Sequence, residues 1–294
     1  MKRFALILSL VMFACFASTG AAQDQLFVGT AIKPEGTSHN AYLIDVATDT
    51  PRSVFTGRAV WGGTYDVSNN RVLFTSDGGV VGGADLYQMP AAGGLPILIG
   101  TITDTAGEAF RIDGLAISGG VLYGSRAAAN LNGIYSINLG TMVATKVIAT
   151  YDSISGIDAD PATGIIYGVN DSSQMVVTID PGEGTITPFV AYPDPEETDL
   201  DGIGAGGGFF YLVPDDYTPG LIYVYDLAAG SFVTPLTAPW TGSDTFSGGG
   251  AVIVQHPATV PTLSVWGLAL FAAALLGLSV FFIRRRQEFG GHNT

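Results

Sequence analysis

The chain is 294 residues long, room for one large domain or two small ones, and carries a formal charge of −14. Residues 23–259 hold seven basic against 25 acidic residues, a balance of −18 that repels phosphate backbones and makes nucleic acid a poor partner. The 40 Gly, 16 Phe and 12 Tyr favour short strands and tight turns over helices, and the single cysteine, Cys15, excludes a fold held by disulfides.

The first segment reads as an export signal. Lys2 and Arg3 form a basic start, Phe4 to Ala17 an apolar run, and Gly20 and Ala22 the small residues of a cleavage site, so residues 1–22 are expected to be removed after Ala22. Two alternatives stand beside this reading: a short N-terminal anchor, or a lipoprotein site at Cys15.

From residue 23 to 254 the chain repeats itself. Short apolar runs with a central aromatic recur at Phe27, Phe74, Tyr123, Tyr167 and Tyr211, spaced 47, 49, 44 and 44 residues apart. Each is followed by an alternating run that ends in a turn former at Asp45, Pro90, Asn138, Asp180 or Asp226. A third signal precedes the aromatic run: Gly62-Gly63, Asp113-Gly114, Ser155-Gly156, Asp201-Gly202 and Ser247-Gly248. A fourth run closes each unit, as in Pro96–Ile99 and Lys146–Ala149.

Four strands every 42 to 51 residues match the period of a β-propeller blade and predict five blades. The first unit lacks its first strand, and the chain ends with an unpartnered one, Gly249 to Val254. Joining the two would close the ring. An elongated β-solenoid is the competing repeat architecture, although its coils are usually shorter. The pattern Asp113-Gly114-Leu115-Ala116, Leu122-Tyr123-Gly124 and Ile134-Tyr135-Ser136-Ile137-Asn138 resembles that of bacterial β-propellers. Their members include scaffolds, binders and a few enzymes, so the resemblance implies fold and not function.

Residues 255–259 read as a linker. An apolar run of 18 residues, Trp266 to Ile283, can just cross a bilayer as a helix, with Arg284, Arg285 and Arg286 on the cytoplasmic side and residues 288–294 as a cytoplasmic end. Around it, Val260, Pro261, Thr262, Leu263, Trp266 and Gly267 resemble the IPTL-CTERM sorting domain, with Val260 in place of Ile. The resemblance covers residues 260–287. It implies recognition by an exosortase-type enzyme of a Gram-negative bacterium, cleavage near Pro261-Thr262 and delivery to the envelope, outer surface or extracellular space. The alternative is a permanent single-pass anchor in the inner membrane.

Candidate chemistry in the repeat is sparse. His39 and His256 lie far apart in sequence as loop or linker residues, and no Gly-x-Ser-x-Gly signal is present. The residues opening the first strands, Gly62, Asp113, Ser155, Asp201 and Ser247, are expected to crowd one mouth of the central channel. Asp113 and Asp201, with Glu197 and Asp199 of a neighbouring acidic loop, could hold Ca²⁺ through hard oxygen ligands. The competing reading makes the aspartates turn caps and the acidic loop a solvated one. No other cofactor is expected. Trp61, Tyr192, Tyr217 and Trp240 are the aromatics that could serve as a binding surface, with ordinary packing between blades the favoured reading for Trp61 and Trp240. Taken together, these features predict an exported, envelope-sorted propeller that acts as a non-catalytic recognition or scaffolding module for an unknown envelope protein or glycan. The alternative is a Ca²⁺-dependent lactonase or lyase using carboxylates at the channel mouth.

Overall fold

Each repeat unit forms one antiparallel sheet of four strands. The computed structural model describes residues 24–30, 39–78, 81–194, 200–214, 220–240 and 250–253. The leader with Ala22, the acidic residues Glu197 and Asp199, Tyr217, Ser247, His256 and the sorting tail from Val260 to Arg286 lie outside the described residues. Among the described residues no helix is long and apolar enough to cross a membrane.

The first blade begins with β1 (Gln25–Gly29), β2 (Asn40–Asp45) and β3 (Thr50–Thr56). The second holds β4 (Gly63–Asp66), β5 (Arg71–Gly78), β6 (Val81–Pro90) and β7 (Ile97–Thr101). The third holds β8 (Gly114–Ser118), β9 (Val121–Arg126), β10 (Gly133–Asn138) and β11 (Val143–Ala149). The fourth holds β12 (Ile154–Ala159), β13 (Ile166–Asn170), β14 (Met175–Asp180) and β15 (Thr185–Ala191). The fifth holds β16 (Leu200–Gly206), β17 (Phe209–Pro214), β18 (Leu221–Asp226) and β19 (Ser231–Thr237). Finally β20 (Ala251–Ile253) pairs antiparallel with β1, Phe27 opposite Ala251 and Gln25 opposite Ile253, and completes the first blade as β20-β1-β2-β3. This is the ring closure expected from the phase of the repeat.

The first strands β20, β4, β8, β12 and β16 touch one another in cyclic order around the axis. Their approach explains the recurring glycine. A Cβ on Gly114 would lie 2.6 Å from the Ser125 hydroxyl oxygen and 2.7 Å from the Ser155 carbonyl oxygen. One on Gly156 would lie 2.6 Å from the Asp201 carbonyl oxygen, so only glycine lets adjacent blades close at these points.

The inner strands, such as β12, β13 and β17, bury both faces and therefore read as nearly unbroken apolar runs, whereas outermost strands such as β3 and β15 are largely exposed. Successive residues serve opposite neighbours. Leu26 and Val28 pack toward the fifth blade with Tyr211, Val213 and Trp240, whereas Phe27 packs toward the second with Phe55, Phe74 and Tyr87. Five such clusters result, one between each pair of adjacent blades. Between the fourth and fifth, Phe210 stacks on Tyr225 with ring centroids 4.7 Å apart. The repeated turn residues act as local caps. Asp45, Asn138, Asp180 and Asp226 each accept two backbone N–H bonds from the turn that follows, as in Gly182 and Glu183 donating to Asp180 at 2.9 and 3.0 Å.

Candidate functional site at the mouth of the channel

Antiparallel pairing places the start of each first strand beside the end of the second strand of the same blade. Gly114 of β8 stands opposite Ser125 of β9, for example. Both ends therefore meet at one mouth of the channel, where a pocket of about 170 Å³ is lined by Trp61, Arg111, Asp113, Ala127, Ser153, Ser155, Asp171 and Asp201. Three of the residues expected at the mouth, Asp113, Ser155 and Asp201, are thus brought together. Trp61, Arg111, Ser153 and Asp171 join them.

The polar groups of the pocket are tied to one another. Asp113 is 5% exposed. One of its oxygens pairs with Nε of Arg111 and the other accepts the Ala127 N–H at 2.8 Å. The Arg111 guanidinium lies over the Trp61 ring, 4.2 Å from its centroid, and the Trp61 indole N–H donates to Asp77 at 2.8 Å. Asp171 accepts from the Tyr192 hydroxyl at 2.8 Å, the Leu200 N–H at 3.2 Å and the Ser155 hydroxyl at 3.0 Å. Asp201 is also engaged. Beside the pocket, Arg126 donates to the Arg111 carbonyl at 3.1 Å and sits over Phe110 at 4.3 Å. Desolvation pulls its guanidinium below the ordinary value, and its Nε is buried without a protein partner.

Of the four residues expected to bind Ca²⁺, Asp113 and Asp201 share the mouth, with Asp113 committed to Arg111. Glu197 and Asp199 lie outside the described residues. Among the described residues no three His, Cys, Asp or Glu side chains stand close enough to hold one metal ion. Trp240 packs between the fifth and first blades, as favoured for it, whereas Tyr192, read as a candidate binding aromatic, is also buried, between the fourth and fifth. His39 is half-buried and its Nδ1 lies 3.1 Å from the Thr30 carbonyl oxygen, which binds that nitrogen as a donor.

Deeper in the channel stands a carboxylate that the sequence did not single out. Asp158 of β12 is 1% exposed. It accepts the Thr64 hydroxyl of β4 at 2.9 Å and the Ala205 N–H of β16 at 2.9 Å, and the N–H groups of Ala159 and Val252 also face it. Four of the five blades thus meet at one side chain. Burial pushes its pKa well above the usual carboxylate range, against the pull of these donors.

No family model and no curated protein matches the chain. Among solved structures, a chain of the nidogen/laminin complex is similar over 79% of this chain and 98% of its own length, with a TM-score of 0.53 and 10% identity. A structural-genomics protein of unknown function from Bacteroides thetaiotaomicron is similar over 76% of this chain and 70% of its own, with a TM-score of 0.46 and 16% identity. At 10% identity the first of these likenesses speaks to fold alone. Fold and site together define the class: a five-bladed β-propeller, closed by the pairing of β20 with β1, with a polar pocket at one mouth and a buried carboxylate on its axis.

Proposed function

We propose that this chain is an exported propeller acting as a non-catalytic recognition or scaffolding module at the cell surface. In this reading a signal peptide ending at Ala22 sends it across the membrane. The tail from Val260 to Arg286 then holds it there until an exosortase-type enzyme hands it to the envelope. The observation that carries the non-catalytic part is the pairing of the mouth's polar side chains. Asp113 is held by Arg111 and the Ala127 N–H, and Asp171 accepts from the Tyr192 hydroxyl and the Leu200 N–H, so both carboxylates serve to fix their neighbours in place. Recognition needs a fixed, shaped lining of this kind, and the use of the same fold in a nidogen/laminin complex is in keeping with it.

Two measurements test the two halves. The full chain, expressed with its leader in a Gram-negative host that has an exosortase and carrying a C-terminal epitope, is expected to lose the epitope and reach the outer surface. Replacing Pro261 and Thr262 by Ala should leave it uncleaved in the inner membrane. An epitope that stays on the chain in both cases would leave only the permanent anchor. Lactone and ester hydrolysis, assayed with and without Ca²⁺, is expected to stay at background. Turnover abolished by Asp201→Asn would instead establish the Ca²⁺-dependent enzyme.

A further inference from the structure

The outer rim between the first and second blades carries apolar surface that the mouth does not use. Leu95, Ile97 and Leu98 are 84%, 60% and 50% exposed, and among the described residues no other stretch bares three large aliphatic side chains within four positions. Beside them lies a groove of about 580 Å³, lined by Ser53 to Thr56 of β3, by Arg58 and by Leu95 and Pro96. Two arginines flank it. Arg52 donates to the Ala92 carbonyl at 3.0 Å, and Arg58 lies over the Tyr87 ring at 4.4 Å with one amino group on the Tyr87 hydroxyl at 2.6 Å. Among the described residues neither is paired with a carboxylate, unlike Arg71 and Arg111, and no carboxylate lines the groove. Contiguous exposed apolar surface of this kind marks a contact with a partner or a membrane.

Charge and chain path both select the occupant. A second copy docked about a two-fold axis would set Arg52 and Arg58 against the same two arginines. A purely apolar peptide would leave them unused. A phospholipid surface meets both halves of the patch, its acyl boundary taking the aliphatic side chains and its phosphates accepting from the arginines. β20 runs away from the mouth like the other first strands and ends at Ile253, which stands opposite Gln25, itself opposite Asp45. Asp45 and Pro90 hold one position of the repeat, so Ile253 and the turn from Ala91 to Pro96 lie at the same end of the ring. Twelve residues, 254–265, separate Ile253 from Trp266, where the apolar run of the tail begins. Fully extended they reach at most about 40 Å, so the tail keeps this end of the ring near the bilayer. The turns of the fourth and fifth blades at that end carry Asp180, Glu183 and Asp226, which repel lipid phosphates and leave the contact to the corner of the first and second blades. Charge elsewhere in the domain is screened beyond about 8 Å at physiological salt. We propose that this corner docks on the surface of a phospholipid bilayer, with Leu95, Ile97 and Leu98 at the interface and Arg52 and Arg58 on lipid phosphates, which turns the mouth away from the membrane. Docking in this way rests on the membrane tail proposed above and adds how the propeller is oriented while the tail holds it.

The test uses the full chain with Cys15→Ser, reconstituted in vesicles of phosphatidylethanolamine and phosphatidylglycerol. Cys15 is the single cysteine, so Leu95→Cys, Glu183→Cys and Tyr151→Cys each carry one environment-sensitive fluorophore, all at exposed positions. Doxyl-labelled lipid is expected to quench the label at 95 several-fold more than the label at 183, on the same end of the ring, or at 151, on the mouth side. Reversing both flanking charges, Arg52→Glu with Arg58→Glu, should reduce that quenching several-fold. The comparison of the three labels needs no charge variant, so it stands even if that variant fails to fold. Equal quenching at all three sites, none at 95, or quenching indifferent to the charge reversal overturns the proposal. A label at 95 that lipid does not quench, yet that is shielded from iodide more strongly as protein density rises, puts a second copy on the corner and overturns it as well. Alkaline carbonate extraction separates docking from the tail on which it rests. A chain that resists extraction but shows no quenching at 95 leaves the tail standing and sinks the docking. A chain released by carbonate yet quenched at 95 before the wash sinks the tail and leaves the docking standing.

Discussion

Asp158 is the sharpest place to perturb the ring. In Asp158→Ala the Thr64 hydroxyl and the Ala205 N–H lose their acceptors inside the channel, and the N–H groups of Ala159 and Val252 lose the carboxylate they face. A buried donor left unsatisfied costs about 1–3 kcal/mol. Two to three such groups, partly relieved by the removal of a desolvated charge, give about 4 kcal/mol. For a domain of this size 1 kcal/mol shifts Tm by about 2–4 °C, so a fall of about 12 °C is expected. Asp158→Asn keeps one acceptor and is expected to cost about 1–2 kcal/mol at acid pH.

The pH dependence separates the two variants further. Because the folded pKa of Asp158 lies above its unfolded value, the folded state binds the extra proton. Its contribution to stability is therefore greatest at acid pH and falls as pH rises from the ordinary carboxylate pKa through the raised one. Asn does not titrate, so the gap between wild type and Asp158→Asn narrows as pH rises across that window. Taking this difference cancels the other carboxylates. Scanning calorimetry between acid and neutral pH is the assay. An Asp158→Ala shift under about 3 °C, or a gap that widens with pH, would refute the reasoning.

Gly114→Ala forces a Cβ against the Ser125 and Ser155 oxygens of two blades, and overpacking of this kind is expected to cost about 3 kcal/mol. Gly140→Ala, in an exposed turn where only the Asn138 side chain comes near, should lie within about 0.5 kcal/mol of wild type, and chemical denaturation measures both. Phe210→Ala removes a fully buried ring stacked on Tyr225 and is expected to lower stability by about 3–5 kcal/mol, read as a reduced urea midpoint at unchanged slope. Because Arg111 already neutralises Asp113, on the order of millimolar Ca²⁺, the range of weak extracellular sites, is expected to leave Tm unchanged. A rise that disappears in Asp201→Ala would restore the metal reading.

What could be read in the sequence follows from local periodicity. The aromatics at Phe27, Phe74, Tyr123, Tyr167 and Tyr211 recur because every second strand must fill the space between two blades. The missing first strand at one end and the spare one at the other foretell β20 on β1 without any knowledge of distances. Asp113, Ser155 and Asp201 were placed at one mouth because they hold one position of the repeat. Arg111, Trp61 and Asp171 hold no such position. They reach the pocket because the chain turns back on itself at the mouth, and their identities differ from blade to blade. Tyr192 looks like a loop aromatic in sequence, yet it is buried with Leu200 and Phe210 between the fourth and fifth blades.

Asp158 was illegible for a deeper reason. In Ile154–Ala159 it reads like any acidic residue before a turn, much as Asp160 does two residues on, where its oxygens accept from Ala162 and Thr163. Its own hydrogen-bond partners stand 94 and 47 residues away and meet only once the ring has closed. That closure also creates the need for it. Each first strand pairs on one side with its own blade, while its other edge faces the axis, where no further strand can fit. The N–H groups on those edges, Ala205 and Val252 among them, still require acceptors. A single carboxylate at the centre reaches several edges at once, which a neutral amide or a hydroxyl cannot do with the same number of lone pairs. With Asp158 bonded across the axis to β4 and β16, the channel is closed at that depth and the pocket at its mouth does not lead through the ring.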